Sequence, residues 1–286
     1  MQESDHIKNL ISMSHEVGKN LAYVQGGGGN TSVKINDKYM YIKASGISLK
    51  DMTLESGLAK VNFANVNNYH LQPDESEDEY NEAINNFSLT PNKKPSIETG
   101  FHAILGKYVI HSHSIFLNVF LCSKEGQDIL LEHFPNALWI NYFTPGKDLT
   151  AQISQTIAKK TDNFEGLIFL QNHGVIASAS SYKSCLKLHS ESNKKIKSVY
   201  KLDKFELVKK TSFSIPSNFL FPDQVIYMSK DEIQKNSQAL HETLSAVDYI
   251  ENTIKKLSLR PNYLSNRDIN ILNNMQSEKY RKNLSK

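Results

Sequence analysis

The chain has 286 residues, 39% hydrophobic and 22% charged, enough to enclose a core as one large domain or as a medium domain with an appendage. Its 33 basic and 30 acidic side chains leave a net charge of +3, too slight for the concentrated basic footprint of a nucleic-acid binder. No stretch approaches the roughly 20 apolar residues of a membrane span, so neither nucleic acid nor membrane is expected as a partner.

Glu3, Asp5 and His6 do not fit a secretory leader, and Cys122 and Cys185 make no disulfide framework. A reducing cytoplasm is therefore the expected compartment.

Ile7, Leu10, Ile11, Val17 and Leu21 recur at helical spacing and predict an amphipathic helix, broken by the glycines at 26–29. Strands at 31–35 and 39–43 follow, joined across Asn36-Asp37 as a hairpin, with Lys43 read as an exposed strand lysine. A third strand near 59–63 leads into a polar loop. The acidic run 74–79 reads as a solvated loop, since it holds no glycine at the bend a calcium loop needs. Ser96, just after Pro95, is placed as the N-cap of a helix with Glu98 in its first turn.

A strand at 109–111, a helix at 115–122 and a strand at 138–142 come next, closed by Pro145-Gly146. Leu149, Ile153 and Ile157 mark a helix, 167–170 and 175–177 two strands, and 182–200 a long helix. The basic stretch of Lys194, Lys195, Lys197, Lys201, Lys204, Lys209 and Lys210 reads as a solvated face. Interleaved strands and helices define an α/β class, and the hairpins add an antiparallel component. Beyond about 215 the pattern changes: Pro216, Phe219, Phe221 and Pro222 precede a strand at 224–228 and two helices over 231–284. The expected division is a catalytic domain at 1–215 and an appendage at 216–286 that serves packing or oligomer contact.

The chemistry concentrates in three histidines and a glutamate. Side chains at i and i+2 of a strand share a face, so His111 and His113 present two imidazoles to one ion, and His173 of Asn172-His173-Gly174 supplies a third. Three protein ligands leave a position open, as in catalytic zinc sites, and Glu98 stands by as a base. Zinc suits three imidazoles, with manganese, cobalt or iron left open because ligand type does not select the metal.

The run Gly26 to Gly29 with Asn30, Thr31 and Ser32 offers approachable amides and two hydroxyls, the equipment of an anion nest. It is neither a P-loop nor a dinucleotide fingerprint, so ATP and NAD are not expected. Ser45, Gly46 and Ser96 can converge with Asn30 on the same anion. His102, one turn from Glu98, is read as structural.

Taken in order, Gly-Gly-Asn-Thr-Ser at 28–32, Lys-Ala-Ser-Gly at 43–46, Pro-Ser-Ile-Glu-Thr at 95–99, His-Ser-His at 111–113, Tyr-Phe-Thr-Pro-Gly at 142–146 and Asn-His-Gly at 172–174 resemble the class II aldolase/adducin family over about residues 5–210. That family holds the fuculose- and rhamnulose-phosphate aldolases, and the wording is closest to its longer rhamnulose-phosphate aldolase-like branch. The resemblance implies an α/β/α sandwich around a largely antiparallel sheet, assembled as a tetramer with sites at subunit boundaries. It implies metal ligation by His111, His113 and His173, acid/base work by Glu98, and phosphate contacts from Gly28, Gly29, Asn30, Ser45, Gly46 and Ser96. Ile97 departs from it where some aldolases carry a second serine, and Ser178 where a glycine is common. Tyr142 is read as packing rather than as the tyrosine that completes such sites.

The expected activity is reversible cleavage of a phosphorylated ketose to a ketone phosphate, such as dihydroxyacetone phosphate, and an aldehyde. A sugar-phosphate 4-epimerase, dehydratase or decarboxylase on the same scaffold is the alternative. A non-catalytic adducin-like module is disfavoured because it lacks the histidines.

Overall fold

The computed structural model describes residues 2–70, 76–159, 164–208 and 215–284. Among them are seven strands: β1 (Asn30–Lys34), β2 (Tyr39–Lys43), β3 (Leu58–Asn62), β4 (Tyr108–Ser112), β5 (Leu138–Ile140), β6 (Gly166–Leu170) and β7 (Gly174–Ala179). They form one sheet in the order β3-β2-β1-β4-β7-β6-β5, antiparallel at every pair except β5 with β6. The parallel pair needs a crossover, which a helix in the intervening segment supplies.

Helices α1 (Glu3–Gly18), α2 (Phe63–His70), α3 (Glu77–Asn86), α4 (Thr99–Ile104), α5 (Ile115–Leu121), α6 (Gly126–His133), α7 (Lys147–Ala158) and α8 (Tyr182–Val199) cover both faces of the sheet. Strand alternation makes this possible: on β6, Leu167 and Phe169 pack into the cluster shared with α1, α5 and α8, while Ile168 and Leu170 join α4 and α7 on the other side. Val175 and Ala177 against Ile176 repeat the division on β7. The result is the α/β/α sandwich expected from the sequence, with a largely antiparallel sheet.

The C-terminal region is helical throughout its described elements: α9 (Pro222–Tyr227), α10 (Lys230–Lys235), α11 (Gln238–Lys256), α12 (Asn266–Asn274) and α13 (Gln276–Leu284). The strand expected at 224–228 is therefore a helix. Val225, Ile226 and Tyr227 are all buried, so the short run shows neither period, and Pro222 at the first helical position pre-sets the turn. Leu240, Leu244, Val247 and Ile250 of α11 enter the same core cluster as α1, α5 and α8.

Other local readings change with it. The polar stretch after β3 forms α2, and α4 begins at Thr99 rather than at Ser96, whose backbone carbonyl accepts from Thr99 in a tight turn. Part of the acidic run lies outside the described residues, but Ser76 caps α3 with Glu79 in a capping box. Lys194, Lys195, Lys201 and Lys204 are exposed, as a solvated face requires, while Lys209 and Lys210 lie outside the described residues.

Glu77 of α3 receives the Lys147 amide at 3.0 and 3.2 Å, tying α3 to the first turn of α7 just after Pro145-Gly146. Burial nevertheless pushes its carboxyl up from 4.5 to about 8. A raised value means that the folded state holds a proton that the unfolded chain releases. The contribution is complete below 4.5 and lost as the pH rises through about 8. Urea denaturation across that window is expected to show stability falling with pH, with a slope that Glu77→Gln removes.

Candidate active site

The start of β1, the end of β4 and the start of β7 lie together at one end of the sheet. Strand register sets Asn30 opposite His111 and His111 opposite Ile176. His113 follows the end of β4, and His173 sits in the turn before β7, where Asn172 takes a left-handed φ of 54°. Ser112, between the paired histidines, faces the other side and is hydrogen-bonded to His189 of α8 at 2.8 Å. Alternation along the strand thus aims the two imidazoles together.

The ligand atoms of His111, His113 and His173 lie within 4.8 Å of one another, and all three side chains are buried. His111 Nδ1 is 3.2 Å from the Val175 carbonyl, which can only accept, so its proton is on Nδ1 and its Nε2 presents a lone pair. His113 Nδ1 donates to Asp223 Oδ2 at 2.6 Å, which leaves its Nε2 as a second lone pair. These two Nε2 atoms are 3.1 Å apart. Glu98 Oε2 is 3.5 Å from His111 Nε2, and Glu98 Oε1 is 3.4 Å from His173 Nε2. Burial pushes the His111 imidazole down to about 4, with the Glu98 carboxylate opposing only in part, so the ring is neutral. Lone pairs and a carboxylate converging in a buried space fit a divalent cation, and three imidazoles with a position open are the donor set of a catalytic centre.

Glu98 is held from β1. Asn30 Nδ2 donates to Glu98 Oε2 at 2.7 Å and to Ser96 Oγ at 3.1 Å. The orientation of that amide is in turn set by His102, whose Nε2–H donates to Asn30 Oδ1 and whose Nδ1 accepts from the Ser32 hydroxyl at 2.7 Å. His102 is fully buried, which holds its imidazole well below the ordinary range and keeps it neutral. Its structural role, read from the sequence, is thus one of orienting Asn30. Glu98 Oε1 accepts no hydrogen bond from the described residues.

A chamber of about 30 Å³ lies over the histidines, and Gly29, Asn30, Ser45, Ser96, Glu98, His113 and His173 line it. Gly28 and Gly46 border an adjoining cleft of about 310 Å³ instead. Lys43, expected to be exposed, is buried and lines the chamber, because Ala44 bridges to Pro95 and draws the end of β2 inward. The glycine amides are more engaged than the sequence suggests: Gly26 N–H donates to Glu242 Oε2 at 2.6 Å, Gly27 to the Tyr227 hydroxyl at 3.2 Å and Gly28 to the Gln25 carbonyl at 3.0 Å. Thr31 and Ser32 hydroxyls are directed to Ser14 and His102.

The C-terminal region supplies what sequence reading missed. Asp223 of α9 reaches His113, and Pro222, Asp223 and Glu278 close the chamber. Asn172 Nδ2 donates to the Leu220 and Asn262 carbonyls at 2.8 and 2.7 Å, so the residue beside His173 docks this region. Ile97 and Tyr142 pack against the α9 cluster, which accounts for an apolar residue in place of a second serine. Ser178, the other departure, accepts from the Gly106 amide and donates to the Phe164 carbonyl, both at 2.9 Å.

Sandwich and site together place three histidines that could hold a metal ion, with a buried carboxylate beside them, at one end of a largely antiparallel sheet. Residues 8–197 match the family described as the Class II Aldolase and Adducin N-terminal domain, and the chain belongs to that family. It is 28% identical over 191 residues to YuxG of Bacillus subtilis (strain 168), named an uncharacterized oxidoreductase, covering 63% of this chain but only 27% of that protein. Its fold is similar to the N-terminal Class II Aldolase domain of a conserved protein from Thermoplasma acidophilum, with a TM-score of 0.62, 21% identity, and 70% and 95% of the two chains covered. It is similar also to YgbL from Klebsiella pneumoniae, grouped as aldolase/epimerase/decarboxylase, with a TM-score of 0.53, 18% identity, and coverage of 72% and 93%.

His102→Ala would strand the buried Asn30 carbonyl and the Ser32 hydroxyl. An unsatisfied buried group costs about 1–3 kcal/mol. Urea denaturation is expected to show a loss of that order or more, with the three histidine ligands left intact.

Proposed function

We propose that this chain is a metal-dependent aldehyde-lyase that reversibly cleaves a phosphorylated ketose to a ketone phosphate, such as dihydroxyacetone phosphate, and an aldehyde. One observation carries the reading: a buried carboxylate, Glu98, lies within 3.5 Å of two of three imidazoles whose candidate ligand atoms gather within 4.8 Å of one another. His111, His113 and His173 would hold a divalent ion, zinc for three imidazoles, which would supply Lewis acidity toward a substrate carbonyl.

The chain's own residues do the rest. Asn30 holds Glu98 Oε2, which leaves Oε1 to take a proton from the carbon beside that carbonyl in synthesis and return it in cleavage. The phosphate is assigned to Lys43, Gly29, Asn30, Ser45 and Ser96, which share the chamber, with Gly46 approaching from the adjoining cleft. Gly28, whose amide turns back to Gln25, serves this grip through loop shape rather than as a donor. A ligand pocket takes roughly 300 Å³ or more, so α13, whose Glu278 lines the chamber, has to withdraw for turnover. Assembly as a homotetramer in the cytoplasm belongs to the same proposal.

Incubating zinc-loaded protein with a panel of ketose-1-phosphates and pentulose-5-phosphates tests it. Carbonyl fragments are expected; epimers without fragments would assign the chain to the 4-epimerases instead. Glu98→Gln is expected to keep the metal and to lose proton exchange on the ketone phosphate by about 10²–10⁴-fold, the usual contribution of a positioned base. His113→Ala should lose both metal and turnover.

A further inference from the structure

The C-terminal region converges on one small area of the catalytic domain. Glu242 of α11 takes the Gly26 amide, Tyr227 of α9 takes the Gly27 amide, and Asp223 of α9 takes Nδ1 of His113. Three successive contacts on one loop and its neighbouring ligand are more than packing requires. Asp223 and His113 are both buried, so a carboxylate and an imidazole share a space with little water to screen them.

The glycine loop is shaped around this pair. A Cβ on Gly28 would fall 2.6 Å from His113 Nδ1 and 2.7 Å from Asp223 Oδ2, so any side chain there would separate the two. Asp223 itself is placed by a short chain of bonds. Pro222 opens α9, the Leu220 amide donates to Gln224 Oε1 at 2.6 Å, and the Leu220 carbonyl receives Asn172 at 2.8 Å. Asn172 precedes His173, so the segment carrying Asp223 is anchored beside a second ligand.

We infer that Asp223 is a positioning residue of the metal centre: its carboxylate holds the His113 proton on Nδ1, aims Nε2 at the focus of the three imidazoles, and raises the donor strength of that nitrogen. The inference rests on the triad being a metal site and adds that the C-terminal region is part of it. A carboxylate on the distal N–H of a ligating histidine fixes its tautomer and raises its basicity, and loss of such a partner typically weakens metal affinity 10–100-fold.

Asp223→Asn separates this role from docking, because the amide oxygen still accepts from His113 Nδ1–H while the negative charge is gone. Zinc affinity of the full chain, measured by competition with a chromophoric chelator, is the readout, with the cobalt(II) visible spectrum reporting ligand geometry. Asp223→Asn is expected to bind zinc about tenfold more weakly at an unchanged melting temperature of the apo protein. Asp223→Ala is expected to bind more weakly still and to shift the cobalt bands. Wild-type affinity in Asp223→Asn would overturn the inference while leaving the metal site intact. Failure of the wild-type chain to bind zinc or cobalt would overturn the metal reading itself, and this inference with it.

Discussion

Imidazole lone pairs and a carboxylate brought within hydrogen-bond distance of one another, away from solvent, repel unless a positive charge stands among them. The protein accepts this arrangement and arranges the rest of the site around it. Val175 and Asp223 occupy the Nδ1 positions of His111 and His113, which turns both Nε2 atoms inward. Asn30 fixes one oxygen of Glu98, and His102 fixes Asn30. Each of these partners sits behind a functional group and removes an alternative orientation, which is how a site gains its geometry before any ligand arrives.

The sheet supplies the precision. Because β1, β4 and β7 are adjacent and antiparallel, backbone pairing brings Asn30 and His111 together at one end of the sheet, beside the turn that carries His173 into β7. Helices on both faces lock those strands, and Ser112 bonded to His189 pins β4 from behind. The C-terminal helices then close the front. Ile97 and Tyr142 give them an apolar seat, and Asn172 stitches them to the ligand turn.

Legibility in the sequence followed the range of the interaction. The histidine pair is readable because strand periodicity is local, and the α/β class because apolar runs alternate with helical spacing over most of the chain, while the three-layer sandwich is what the family resemblance implies. Lys43 was misread because its burial depends on a bridge between Ala44 and Pro95, half a hundred residues apart. The helix at Pro222–Tyr227 was read as a strand because a short segment buried on all sides shows no period to count. Asp223 had no local mark at all. A single aspartate after a proline gains its meaning only from a partner 110 residues away.

By itself the sequence determined the sheet-and-helix plan, the family motifs and the shared face of His111 and His113, since each is written in short-range spacing that the backbone converts directly into shared faces. Tertiary structure alone decided the tautomers of His111 and His113, the engagement of the glycine amides by Tyr227 and Glu242, and the closure of the chamber by Asp223 and Glu278. These depend on groups far apart in the chain meeting in a buried place, where one hydrogen bond sets which atom is left to do chemistry.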